Sequence, residues 1–352
     1  MTTRAGEIEA PAITIPKRLI GGRAFDQIFM TACIWLLVGG YLDAWAHNNI
    51  PRLETFFTPW HGVLYSGFLA VATTLSLAIL INHRRGYSWR EAVPAGYELS
   101  LIAAAGFAVF GVGDMGWHIF FGIEKNIDAA LSPTHLGLAT CMGLLLAGPY
   151  RSLYRKSPQL DGAQGWRAQL VLPFAALLVL LPFTLITQMA NPFNAFWPTF
   201  ATTADDNIQI LAIVSVVFQT TILMGLVLIS MRRWKLPLGF FTIIYTINAF
   251  FLSFMLGHYL ILLMVLPAGI LTDIVYRWLK PSQAQLAELR IFAFLAPIIL
   301  YSFYFLVLDV VYGIVWTIHL AGGSIVVAGI TGWLLSYVLF MTQPATEGRE
   351  HV

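Results

Sequence analysis

The chain has 352 residues, of which 58% are hydrophobic and 11% charged, with a mean hydropathy of +0.74. A soluble domain carries about 25% charged residues, so the composition excludes an ordinary soluble enzyme and describes an all-α, polytopic integral membrane protein. The net charge of +2 excludes nothing, but Cys33 and Cys141 lie singly in apolar segments with no CxxC spacing, which leaves neither a disulfide framework nor a thiolate metal site.

Residues 1–26 form a polar tail with acidic residues and no apolar h-region, so no cleaved signal peptide is expected. A helix needs about 20 apolar residues to cross a bilayer. Ten runs qualify: 27–47, 61–83, 96–118, 133–150, 168–188, 207–231, 237–256, 258–279, 291–312 and 316–340. They divide the chain into a four-helix half (27–150), six further helices (151–340) and a C-terminal tail (341–352). The least secure boundary is the turn Leu256-Gly257-His258, where Pro267 offers a competing break. Charge supports the split. With it, Arg52 and Lys125 are the only two of the 20 lysines and arginines that fall on one side. Basic residues stay cytoplasmic, so both termini are expected inside, with five hairpins pointing outward from the cell (inner) membrane to the periplasm or exterior.

The eight histidines are unevenly placed on this map. His83 and His351 fall inside; His47, His61, His118, His135, His258 and His319 fall at outward helix ends. The stretch YLDAWAHNNIPRLETFFTPWHG (41–62) has a variant in GDMGWHIFFGIEKNIDAALSPTHLG (113–137). Asp43 and His47 are four apart and share a helix face, as do Asp114 and His118. His61 and His135 then open the returning helices, behind Pro59 and Pro133 as helix starts. The repetition implies a tandem, duplicated hairpin. Each hairpin can converge one carboxylate and two imidazoles, a donor set suited to iron(II), copper or zinc with positions left open. Ionisable side chains in a membrane span are costly, which favours a functional reading. The competing reading is a hydrogen-bonded helix end with interfacial Trp45, Trp60 and Trp117; it suits one hairpin better than two. His258 and His319 are lone and read as polar packing. Glu54 and Glu124 read as supporting or solvated groups, and Asp205-Asp206-Asn207 as a helix cap.

DMGWH followed by LSPTH resembles the C subunit of the copper-containing membrane monooxygenases, the particulate methane and ammonia monooxygenase family. LDAWAH (42–47) with ETFFTPWHG (54–62) is similar to that subunit's other motif pair, with Asp43 in the place of an Asn. The resemblance covers about 42–68 and 113–146, with the two motif pairs in the opposite order. It implies membrane copper on Asp114, His118 and His135 and on Asp43, His47 and His61, with hydroxylating activity. Residue types alone point first to iron; copper comes from the resemblance.

The expected function is therefore a monooxygenase-like membrane subunit. A small apolar substrate would arrive from lipid past Phe56, Phe57, Phe120 and Phe121, and other subunits of a membrane complex are possible partners. A metal carrier or assembly protein, a haem-binding electron-transfer subunit and a structural subunit remain open alternatives. Mid-depth polar residues are few (Gln219, Asn248, Ser253), which counts against a permeation path. Nothing points to nucleotide or nucleic-acid binding: there is no phosphate-binding glycine motif, and topology accounts for the basic loops.

Overall fold

Backbone in hydrocarbon has to satisfy its own N–H and C=O groups, which leaves helices as the economical solution for apolar runs. The computed structural model describes residues 19–50, 56–122, 131–156, 165–202 and 205–341, and among these no strand occurs. Glu54 and Glu124 lie outside the described residues. The helices are α1 (Arg23–Asn49), α2 (Pro59–Arg84), α3 (Glu98–Phe121), α4 (Pro133–Leu146), α5 (Gly148–Lys156), α6 (Gly165–Ile186), α7 (Asp206–Met231), α8 (Phe240–Leu256), α9 (Ile261–Leu279), α10 (Leu286–Tyr312) and α11 (Ile318–Leu339). Between α6 and α7 the described residues make short turns, including the single helical turn Pro192–Ala195.

Among the described residues, eight helices are long and apolar enough to cross a membrane: α1, α2, α3, α6, α7, α9, α10 and α11. The chain is a polytopic helical membrane protein. The two other expected spans are shorter. The run expected at 133–150 is interrupted at Ala147, where α4 hands over to α5 with its terminal Arg155 and Lys156. The run expected at 237–256 yields the 17-residue α8. That helix ends at Gly257, whose φ of +74° suits a residue without a Cβ. The expected turn between the seventh and eighth runs is therefore present, and Pro267 sits inside α9.

The site is positioned by glycine-mediated crossings. A Cβ on Gly39 would lie 2.6 Å from the Cα of Leu64, and one on Gly67 would lie 2.6 Å from the Cα of Leu36. Small residues of this kind let membrane helices approach backbone to backbone. The register of antiparallel α1 and α2 follows: Asp43, one turn beyond Gly39, comes level with His61, one turn before Leu64. On α3 and α4, Gly137 receives the ring of Phe110, and Gly106 faces the sulfur of Cys141. That register brings Asp114 level with His135. The Tyr41 hydroxyl donates to the carbonyl of Leu181 at 2.9 Å, and its ring lies 4.7 Å from that of Phe251. Helix α1 therefore shares its core with α6 and α8.

At the opposite end, buried carboxylates are fully engaged. Asp26 accepts from Tyr97 (2.8 Å) and Ser152 (2.9 Å) and pairs with Lys156 (3.3 Å). Asp273 of α9 accepts the backbone N–H groups of Phe241 (3.2 Å) and Thr242 (2.9 Å), capping α8 from a neighbouring helix.

Candidate metal centre

Each hairpin places its three ionisable residues by the same local means. Asp43 and Asp114 sit one turn before His47 and His118 on the last turns of α1 and α3. The returning helices start with Pro in the first turn behind a hydroxyl cap: Thr58 Oγ1 accepts from the N–H of His61 (3.2 Å), and Ser132 Oγ from that of His135 (3.3 Å). This cap-Pro-x-His arrangement puts each returning imidazole in the first turn, facing the acid of the partner helix.

All six predicted ligands come together. In the first group, His61 Nε2 lies 3.3 Å from Asp43 Oδ1, and His47 Nε2 lies 3.9 Å from Asp43 Oδ2. In the second, His118 Nε2 is 3.5 Å from Asp114 Oδ2 and His135 Nε2 is 3.5 Å from Asp114 Oδ1. Within each group the potential ligand atoms all lie within 4.8 Å of one another. The two groups are also adjacent. The His47 ring centroid is 6.3 Å from those of His61 and His118 and 5.9 Å from that of His135, and His118 and His135 are 5.5 Å apart. Four imidazoles and two carboxylates thus form one cluster across two hairpins.

Three of the outer nitrogens are held by neighbouring oxygens. His61 Nδ1 lies 2.5 Å from the Phe56 carbonyl, His118 Nδ1 lies 3.4 Å from that of Gly122, and His135 Nδ1 lies 2.7 Å from Ser132 Oγ. A carbonyl can only accept, so Nδ1 of His61 and of His118 carries the proton, and Nε2 of the neutral ring presents a lone pair. Nε2 faces a carboxylate oxygen, a pairing that either a proton on the ring or a metal cation between the two atoms satisfies. Protonating all four rings instead would pack four like charges within these distances. His47 Nε2 is buried without a hydrogen-bond partner. Anchoring Nδ1 while Nε2 points inward is the arrangement metal-binding histidines adopt.

Two supporting groups escaped the sequence reading. Thr134 Oγ1 donates to Asp114 Oδ1 at 2.8 Å. Ser132 both caps α4 and holds His135. Their only sequence signal was the pair of hydroxyl residues around Pro133 in LSPTH.

A cavity of about 130 Å³ adjoins the cluster and reaches Asp43, His47, His61, Asp114 and His135. Its inner wall is apolar, formed by Leu64, Phe107, Leu138, Met142 and Pro182; its outer rim carries Asn48 and Gln188. The aromatic approach expected from sequence is placed differently. Phe56 stacks on His61 at 4.6 Å, while Phe57, Phe120 and Phe121 are exposed, and none of the four lines the cavity.

The weaker candidates stay apart. His258 packs against Phe196 at 5.0 Å, and His319 is exposed beside Gln209. Asp309 accepts from the N–H of Ile314 at 3.3 Å just beyond α10. Asp205 occupies the position before α7, yet its carboxylate turns back to Thr202 N–H (3.1 Å) and Oγ1 (3.0 Å), so the expected side-chain cap is not made.

No family model, no curated protein and no solved structure matches this chain. Fold and site define the class on their own: a helical membrane protein with two Asp/His/His groups within metal-binding distance near one end of its bundle.

Proposed function

We propose that the chain is a membrane metalloprotein whose Asp43/His47/His61 and Asp114/His118/His135 groups hold copper, with iron the alternative, and that it serves as a monooxygenase-like subunit acting on a small apolar substrate. The observation that carries metal binding is the convergence of inward-facing Nε2 atoms on carboxylate oxygens at 3.3–3.5 Å, with the potential ligand atoms of each group within 4.8 Å of one another. Three protein donors per group leave coordination positions free for an exogenous ligand. A redox metal there supplies dioxygen chemistry; the chain's own residues orient the donors and shape the space beside them. The apolar inner wall of the cavity supports a small, poorly functionalised substrate, and its volume is too small for a porphyrin, which counts against the haem reading. Against the carrier reading, two of the few mid-depth polar side chains are already bonded, Asn248 to Thr184 and Gln219 to Thr187 and Ala190. The arginines that close α2, Arg84 and Arg85, sit at the end opposite His61. This supports a centre facing the periplasm or exterior.

Metal analysis of purified protein tests the proposal. Wild type is expected to carry copper or iron in stoichiometric amount, Asp114→Ala and His118→Ala to lose it, and His319→Ala to retain it. Full occupancy in the first two variants would sink the assignment. Oxygen consumption coupled to hydroxylation of a small hydrocarbon separates the oxygenase from a metal-bearing structural subunit.

A further inference from the structure

Tyr65 lies four residues after His61 on α2, on the same helix face. Its hydroxyl is buried and has no hydrogen-bond partner among the described residues. Its ring centroid is 6.1 Å from that of His61, 5.9 Å from Phe56 and 6.3 Å from Phe107. Helix side chains lean toward their helix's N-terminus, and for α2 that is the His61 end, so the phenol leans back toward the cluster. Across from it is Gly111 of α3, where a Cβ would lie 2.9 Å from Tyr65 Cε1 and 3.2 Å from its hydroxyl. Asp114, three residues further along α3, leans by the same rule back toward Gly111. The phenol of one hairpin and the carboxylate of the other therefore converge beneath the cluster.

A buried hydroxyl without a partner is costly, and phenylalanine would fill the same space without that cost. The hydroxyl thus has a use that no described protein group satisfies. Resting on the metal reading above, we propose that Tyr65 donates a hydrogen bond to a non-protein oxygen ligand, water or hydroxide, held at an open position of the metal cluster. This gives the open position a fixed orientation, aimed at the junction of the two hairpins.

The test compares copper-loaded wild type, Tyr65→Phe and Gly111→Ala, the last of which presses the phenol aside. Three properties are measured: copper stoichiometry, copper affinity by chelator competition, and the visible and paramagnetic-resonance spectra of the Cu(II) protein. Tyr65→Phe is expected to keep full copper stoichiometry, to bind copper about tenfold more weakly and to show shifted Cu(II) bands. Its metal-free form should melt no lower than wild type, because only an unsatisfied oxygen is removed. Gly111→Ala should shift the same bands. A merely structural phenol predicts equal changes in metal-free and loaded stability with spectra unchanged; that result in both variants overturns the proposal while leaving metal binding intact. Wild type that takes up no copper or iron overturns the metal reading itself, and Tyr65 with it.

Discussion

Thr134 donates a 2.8 Å hydrogen bond to Asp114, whereas the equivalent position after Pro59 is Trp60, which packs on Trp45 at 5.5 Å and offers Asp43 no hydroxyl. The two carboxylates differ accordingly in exposure, 1% for the side chain of Asp114 against 14% for that of Asp43. A ligand held by its own hydrogen bond loses less freedom when it binds metal, and removing such a support weakens affinity by about 10–100-fold. Thr134→Val, which keeps the shape and deletes the donor, is therefore expected to weaken one of two metal-binding steps by that order while leaving the other unchanged. A two-phase chelator competition resolves the steps; two unaltered phases would show that Thr134 does not matter to the ligand. The grouping of the six candidate residues was legible in the sequence because acid-x3-His is fixed by the geometry of a single helix and Pro-x-His by a single helix start. Thr134 and Tyr65 were not, because their roles depend on which helix lies opposite, and that is set by crossings many residues away.

Those crossings act at the level of elements. Gly39 and Gly67 let α1 and α2 meet at backbone distance, and this fixes the level at which Asp43 faces His61. A leucine at Gly67 would meet the backbone of Leu36, which cannot move aside as a flexible side-chain end would. Overpacking of this kind costs about 1–3 kcal/mol. Gly67→Leu is expected to lower the melting temperature in detergent and to lose metal at Asp43/His47/His61, while Gly322→Leu, with nothing within 4 Å of an added Cβ, changes neither. Equal melting of both variants would remove the crossing from the account. Helix existence was readable from apolar length alone, since a span has no other way to satisfy its backbone. Helix ends were less so. The break at Ala147 falls inside an apolar run, and Asp205 spends its carboxylate on Thr202 rather than on α7. The second outcome is decided by local hydrogen bonding that composition does not encode; at the first, Pro149 has no N–H to give to the preceding turn.

In the whole molecule, the hairpins α1–α2 and α3–α4 are each tightly packed internally, yet α2 and α3 touch only sparsely. Phe68 stacks on Phe107 at 4.6 Å partway along, and above that level the two hairpins meet at Tyr65 against Gly111 and at the four histidine rings. Without metal, these rings bring little apolar contact and several acceptor atoms to the seam. With metal bound across the cluster, the same rings become a clasp between the two hairpins. A ligand that binds only the folded state stabilises it by RT ln(1 + [L]/Kd), about 2.7 kcal/mol when the free ligand is 100 times Kd. If the clasp acts at the seam, that stabilisation is local. Chelator-stripped protein is then expected to exchange backbone hydrogens faster at 59–65 and 113–121, at the cluster ends of α2 and α3. The centres of α9 and α10 should be unchanged, because their contacts with Asp273 and the aromatic core around Phe241 and Phe292 do not involve the cluster. Hydrogen exchange followed by mass spectrometry, with and without copper, reads the difference segment by segment. A uniform change along the chain would mean that metal stabilises the whole fold through its core, and no change would mean that the hairpins hold together by packing alone.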